Sequence, residues 1–231
     1  MCPSNRAEGM EHRKTNKTNR QQPPNGVLTF DIMSSREKRN IPSYIRNLTI
    51  TINKKYQSIL FTPFVVTLGD EFQGVLSDRS QVFQIFLEVQ KIIPIYAGVG
   101  MGEVESLKET PAPQMTGEAF VRSRKALNQA KEMKRTFMVS TGVDYLDTSV
   151  NALAFAAQFI RSKQSKRQMQ VSDRFILDPE MPQWQLADEL KISRPTVSKI
   201  LKYGGFDTLD EIRLAIQRIL STSIIDPNGA D

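Results

Sequence analysis

The chain has 231 residues, 39% hydrophobic and 24% charged, which is enough apolar material for one large domain or two of ordinary size. A single cysteine, Cys2, excludes a disulfide framework and a thiolate metal cluster and makes a reducing, cytoplasmic setting the default. No apolar run approaches the length of a membrane span, and the net charge of +6 leaves nucleic acid open as a partner.

The first 26 residues carry five Lys or Arg against two Asp or Glu. Met1–Asn25 is rich in Asn, Gln, Lys, Arg and Pro, so a disordered tail over 1–26 is expected. Val27 to Ile32 then reads as a short apolar strand running into Asp31, followed by the small polar pair Ser34-Ser35. Arg36, Lys38 and Arg39 add positive charge there, and the combination suits a phosphate chain. Ile41, Ile45, Leu48, Ile52 and Tyr56 recur at helical spacing, which predicts a long helix.

Pro63 ends the connection into a hairpin. Phe64 to Leu68 and Phe72, Val75 and Leu76 are strand formers flanking the polar tip Gly69-Asp70-Glu71. Val82, Phe83, Phe86, Val89 and Ile93 mark a second amphipathic helix, stopped by Pro94. Ile95 to Val104 predicts a buried strand whose Gly98, Gly100 and Gly102 leave one face bare for a backbone or a ligand to approach. A loop with Pro111 and Pro113 leads to a helix from Gly117 to about Lys134, and Phe137 to Val139 form another strand. The order strand, helix, hairpin, helix, strand, helix, strand predicts an α+β sandwich of the ferredoxin-like kind over 27–147.

A helix from roughly Thr148 to Lys163 opens the rest, with Ser162–Gln170 and Asp178–Pro182 read as connections, so that 148–180 is expected to be helix and linker. Within 181–225, Gln185 to Leu190, the turn Lys191-Ile192-Ser193 and Arg194 to Tyr203 have the pattern of a small all-α helix-turn-helix domain. Ala187 permits a close crossing, Ser193 is placed to cap the second helix, and Pro195 falls in its first turn. The exposed face would carry Arg194, Thr196, Ser198, Lys199 and Lys202, suited to phosphates and base edges of double-stranded DNA. A helical hairpin used for dimerisation is the competing reading.

Two carboxylates are the other chemical signal. If the first strand and the hairpin lie side by side, Asp31 and Asp70 face each other across a cleft, a pair that repels itself without a cation and so favours Mg²⁺. Solvated turn residues of the same types are common, and that is the plain alternative.

Four segments, Phe30-Asp31-Ile32, Gly69-Asp70-Glu71-Phe72, Gly98 to Val104 and Gly117 to Leu127, resemble in order the landmarks of class III nucleotidyl cyclases and GGDEF-type diguanylate cyclases. From Val27 onward the chain resembles the SatD family, in which such a palm-like domain is joined to a C-terminal helix-turn-helix. The resemblance implies Asp31 and Asp70 as a metal pair for Mg²⁺ or Mn²⁺, with the Ile32 carbonyl and Glu71 as further ligands. It implies that Ser34, Ser35, Arg36 and Gly69 border the phosphates of a purine nucleoside triphosphate or related nucleotide, and that Arg122 or Arg124 supplies a cation to the transition state. Leu68 stands where GGDEF has its first glycine, and the ribose-orienting asparagine of the cyclases has no counterpart within Gly117–Lys125.

The leading expectation is therefore a homodimeric, nucleotide-sensing DNA-binding regulator. An active nucleotidyl cyclase working at a dimer interface, and a degenerate palm that only dimerises the DNA-binding heads, are the two readings beside it.

Overall fold

The fold is described from a computed structural model covering residues 26–34, 41–105, 115–178 and 180–221. It is a mixed α/β architecture with one five-stranded sheet and, among the described residues, eight α-helices. The chain order is β1 (Gly26–Ile32), α1 (Ile41–Tyr56), β2 (Leu60–Leu68), β3 (Glu71–Leu76), α2 (Val82–Ile92), β4 (Ile95–Met101), α3 (Glu118–Glu132) and β5 (Phe137–Ser140). Five helices follow: α4 (Asp144–Lys163), α5 (Lys166–Leu177), α6 (Gln183–Leu190), α7 (Arg194–Tyr203) and α8 (Phe206–Ser221). No described helix is long and apolar enough to cross a membrane.

The sheet order is β2-β3-β1-β4-β5, so β1 is central. It runs antiparallel to both β3 and β4, while β4 and β5 are parallel. A strand in that position must be apolar on the covered face, and Leu28, Phe30 and Ile32 are buried there. Phe30 lies against Phe72 with ring centroids 4.9 Å apart, and Phe64 closes the cluster at 5.7 Å from Phe30. This face is covered by α1, α2, α4 and α8, whose Ile45, Phe83, Val150 and Ile216 all belong to one core. Thus α8, far along the chain, packs into the same core as the sheet.

The opposite face is covered by α3, and the glycines of β4 explain how. A Cβ on Gly98 would lie 2.4 Å from the carbonyl oxygen of Ser123, and one on Gly100 would lie 2.0 Å from that of Ala119. The bare strand face expected from the sequence therefore receives the backbone of a helix. Ser123 fixes the contact, donating from Oγ to the Gly98 carbonyl at 2.9 Å and meeting Thr29 Oγ1 at 2.7 Å. Thr29 in turn donates to Gln73 Oε1 at 3.0 Å, so a buried polar relay joins α3 to β1 and β3.

Several boundaries differ from the sequence reading. The expected strand over 95–104 stops at Met101, because Gly102 has φ +144° and turns the chain away. Pro63 lies inside β2, an edge strand where a missing N–H is tolerated. The expected helix from Thr148 begins at Asp144. The basic stretch 162–170, read as a connection, instead enters α5 through a capping box in which Ser165 and Gln168 satisfy each other's backbone N–H groups. The expected tail over 1–25 lies outside the described residues.

Gly100→Ala should lose about 1–3 kcal/mol or more in denaturant unfolding, since a methyl group there has to push α3 off the sheet. A near-neutral result would mean that α3 is free to lift away.

Candidate functional site

The carboxylates singled out in the sequence come together at one end of β1 and β3. Asp31 is paired across the ladder with Glu71, while Gly69 and Asp70 occupy the turn between β2 and β3. Gly69 has φ +59°, the left-handed conformation such a turn requires, and nothing lies within 4 Å of where its Cβ would be. The Ile32 N–H donates to the Asp70 carbonyl at 3.4 Å, which ties the turn to the end of the central strand. Two residues on, Ser34 is exposed at φ 54°. Ser35 and Arg36 lie outside the described residues.

Helix α3 lays two cations on these acids. Lys131 Nζ donates to Asp31 Oδ2 at 2.6 Å. Arg124 grips Glu71 with both Nη atoms, Nη2 to Oε1 at 2.7 Å and Nη1 to Oε2, and Thr67 Oγ1 adds a donor to Oε1 at 2.9 Å. Glu71 is only 4% exposed, a burial that a charged carboxylate tolerates because it is gripped on both oxygens. Lys131 is seven residues beyond Arg124, two helical turns along the same side of α3. That spacing was readable, but its meaning depended on where α3 crosses the sheet.

Arg122 does different work. Its Nη1 donates to the carbonyls of Met101 at 2.6 Å and Thr141 at 2.9 Å, and it pairs with Glu118 one turn earlier. A Cβ on Gly142 would lie 2.2 Å from its Nη2, so the guanidinium is enclosed as a strut between β4 and the chain after β5. Of the two arginines expected at the site, the structure brings Arg124 to the carboxylates and places Arg122 in the scaffold.

Burial pushes the Asp31 carboxyl above its ordinary value, and the charges of Asp70 and Glu71 push the same way against the hydrogen bond and charge of Lys131. Among the described residues no three His, Cys, Asp or Glu side chains converge closely enough to hold a metal ion. A hard cation that keeps most of its water and takes one or two carboxylates needs no such cage. Asp31 and Asp70 are the carboxylates that such a mode would use, and Asp31 is paired with Lys131, 38% exposed at its side chain.

The second group of residues lies on α7. Lys191, at φ 52°, ends α6 in the left-handed conformation, and Ser193 Oγ accepts from the Thr196 N–H to start α7. Val197 and Leu201 are buried against Leu186, Ala187, Val171 and Phe175. Burying that side leaves Arg194, Thr196, Ser198, Lys199 and Lys202 exposed. Thr196 is partly committed, since its hydroxyl meets Ser193 Oγ at 2.8 Å. The helix holds three cations and no carboxylate, and none of the three forms an ion pair with a described residue. Tyr203, 76% exposed beside Lys202, was not singled out in the sequence and extends this surface.

Asp31 makes stability depend on pH in a definite direction. Its carboxyl is raised in the folded state, so the folded protein holds the proton longer and stability falls as pH rises from 3.8 through the folded value. Asp31→Asn should therefore melt higher than the parent at pH 7, with the difference closing below about pH 3.8. A lower melting temperature at pH 7 would mean that the Lys131 pair outweighs the burial cost.

The model of the SatD family matches residues 27–217. No curated protein matches the chain. The family match spans the sheet, the acidic end of β1 and the α7 surface together, and the chain belongs to the SatD family.

Proposed function

We propose that this protein is a DNA-binding regulator that responds to a Mg²⁺-bound nucleotide. The observation that carries the DNA half is α7: Arg194, Lys199 and Lys202 are exposed on a ten-residue helix without a carboxylate, whose other side is anchored by Val197 and Leu201. In this reading α6 and α7 form a helix-turn-helix and α7 enters the major groove, with lysines on phosphates and Arg194, at the N-terminal end, nearest the bases.

The nucleotide half rests on the acidic end of β1. The sheet with its two helix layers is read as a ferredoxin-like palm, and Asp31 and Asp70 as its cation ligands. When bound, the cation would neutralise phosphate charge; Asp31 would release Lys131, which is then free to meet a phosphate oxygen. Glu71 and Arg124 hold each other and keep the floor of the site rigid. The enzymatic reading, nucleotidyl transfer, draws on Arg124 lying at the carboxylates, and product analysis with Mg²⁺ or Mn²⁺ and each triphosphate separates it from binding alone.

In this reading the two halves communicate through β3 and α8. Strand β3 starts at Glu71 and leads through Leu76 to a short 3-10 helix, Arg79–Gln81, whose Arg79 Nε donates to the Leu220 carbonyl of α8 at 2.9 Å. Helix α8 follows α7 after the two glycines 204 and 205. A ligand at the acidic end can move α7 only through different affinity for two arrangements of this route.

DNA affinity should fall steeply with salt, and Lys199→Ala and Lys202→Ala should each flatten the slope of log K against log [salt] by about 1. Unchanged slopes in both would remove α7 from the interface. Mg²⁺ with a purine triphosphate should raise the melting temperature of the parent and not of Asp31→Asn, because a ligand bound only by the folded state stabilises it. Equal shifts in the two proteins would place the nucleotide elsewhere.

A further inference from the structure

Among the described residues, helix α4 buries one side and leaves large aromatic side chains exposed on the other. Val150, Ala154 and Ala157 face the core, while Tyr145, Phe155 and Phe159 are 70%, 45% and 58% exposed. At 3.6 residues per turn these three aromatics fall on one stripe with Ser149, Ala152 and Ala156, all exposed. Tyr145 and Phe159 lie toward the two ends and Ala152, Phe155 and Ala156 near the middle, so a copy turned end for end about the middle sets each Phe159 over the small Ser149 of the other and each Ala152 over an Ala156. The charges point the same way. The first turn contains Asp144 and the last contains Lys163, both exposed, so antiparallel packing sets each Asp144 beside the Lys163 of the other copy. Parallel packing would set like charges together.

From this complementarity of shape and charge we infer that the outer face of α4 is a self-association surface, on which α4 of a second copy of this chain packs antiparallel across a two-fold axis near Ala152 and Ala156. Two-fold symmetry makes every contact occur twice, so the Asp144–Lys163 pair forms at both ends. Two cations already frame the rings: the Arg135 guanidinium sits 4.5 Å from the Phe155 centroid and Lys163 Nζ 5.3 Å from that of Phe159.

The position of α4 gives the pairing a consequence that rests on the DNA-binding reading. The C-terminal end of α4 is bound to the end of α7, since Gln164 Nε2 donates to the Gly204 carbonyl at 2.6 Å. A 20-residue helix is about 30 Å long, so antiparallel copies hold their C-terminal ends about that far apart. Half-sites one turn apart on DNA are separated by about 34–36 Å, which is the spacing two α7 helices held in this way would address.

The test uses the full chain without DNA or nucleotide, so that its outcome is independent of the DNA reading. Sedimentation equilibrium at micromolar concentration should show a dimer for the parent and a monomer for Ala152→Glu, with the melting temperature of the variant little changed. Asp144→Lys and Lys163→Asp should each weaken the dimer at least about fivefold, since each reversal breaks two pairs and creates repulsion, and the double reversal should restore it. A monomeric parent, or a dimer unaffected by Ala152→Glu, overturns the surface; a double variant as weak as the single ones overturns the antiparallel alignment.

Discussion

The structure depends on the seating of α3 against β4. Gly98 and Gly100 let the helix backbone reach the strand, where any side chain would stand within about 2.0–2.4 Å of a helix carbonyl. Close seating aims the same side of α3 at β1 and β3. Ser123 then completes a buried relay with Thr29 and Gln73, and farther along the sheet Arg124 and Lys131 reach Glu71 and Asp31. Two glycines without chemistry of their own thus determine which cations meet which acids.

The resulting site is a compromise between folding and readiness. Glu71 is secured by three donated hydrogen bonds, two from Arg124 and one from Thr67, and belongs to the frame. Asp31 is held by one half-buried lysine while burial and two neighbouring carboxylates work against its charge. A carboxyl whose charge is opposed in this way is of the kind that gathers at functional sites, and that is the ground on which the cation-binding proposal stands. The α7 end has the opposite character: its cations are exposed and its burial is wholly apolar.

Much of the sheet could be read from the chain because strands and amphipathic helices announce themselves locally. Phe30, Phe72 and Val99 alternate or cluster as buried strands do, and Ile45, Leu48, Ile52 and Tyr56 form the face of α1 that enters the core. The segment that became α5 was hidden by its charge: Lys166, Arg167 and Arg174 surround the apolar positions Val171 and Phe175, and only the Ser165–Gln168 box marks its start. In the structure the hairpin has its acids at the end of the sheet where Asp31 lies, with Asp70 in the turn and Glu71 opposite Asp31. Lys131 is a hundred residues from Asp31 in sequence, and Arg122 and Arg124, two apart, have different partners, Arg122 the Met101 and Thr141 carbonyls and Arg124 the Glu71 carboxylate. No local pattern carries that information, because it arises only when the glycine strand and the helix meet.

The proposed site needs Asp31 to be a carboxylate whose charge burial opposes and Lys131 offsets by a hydrogen bond. Carbon-13 NMR of the Asp31 carboxyl through a pH titration, with and without Mg²⁺, tests this most directly. A midpoint above the ordinary aspartate range without the ion, falling when Mg²⁺ is added, is the predicted result. An ordinary midpoint that ignores the ion would contradict it.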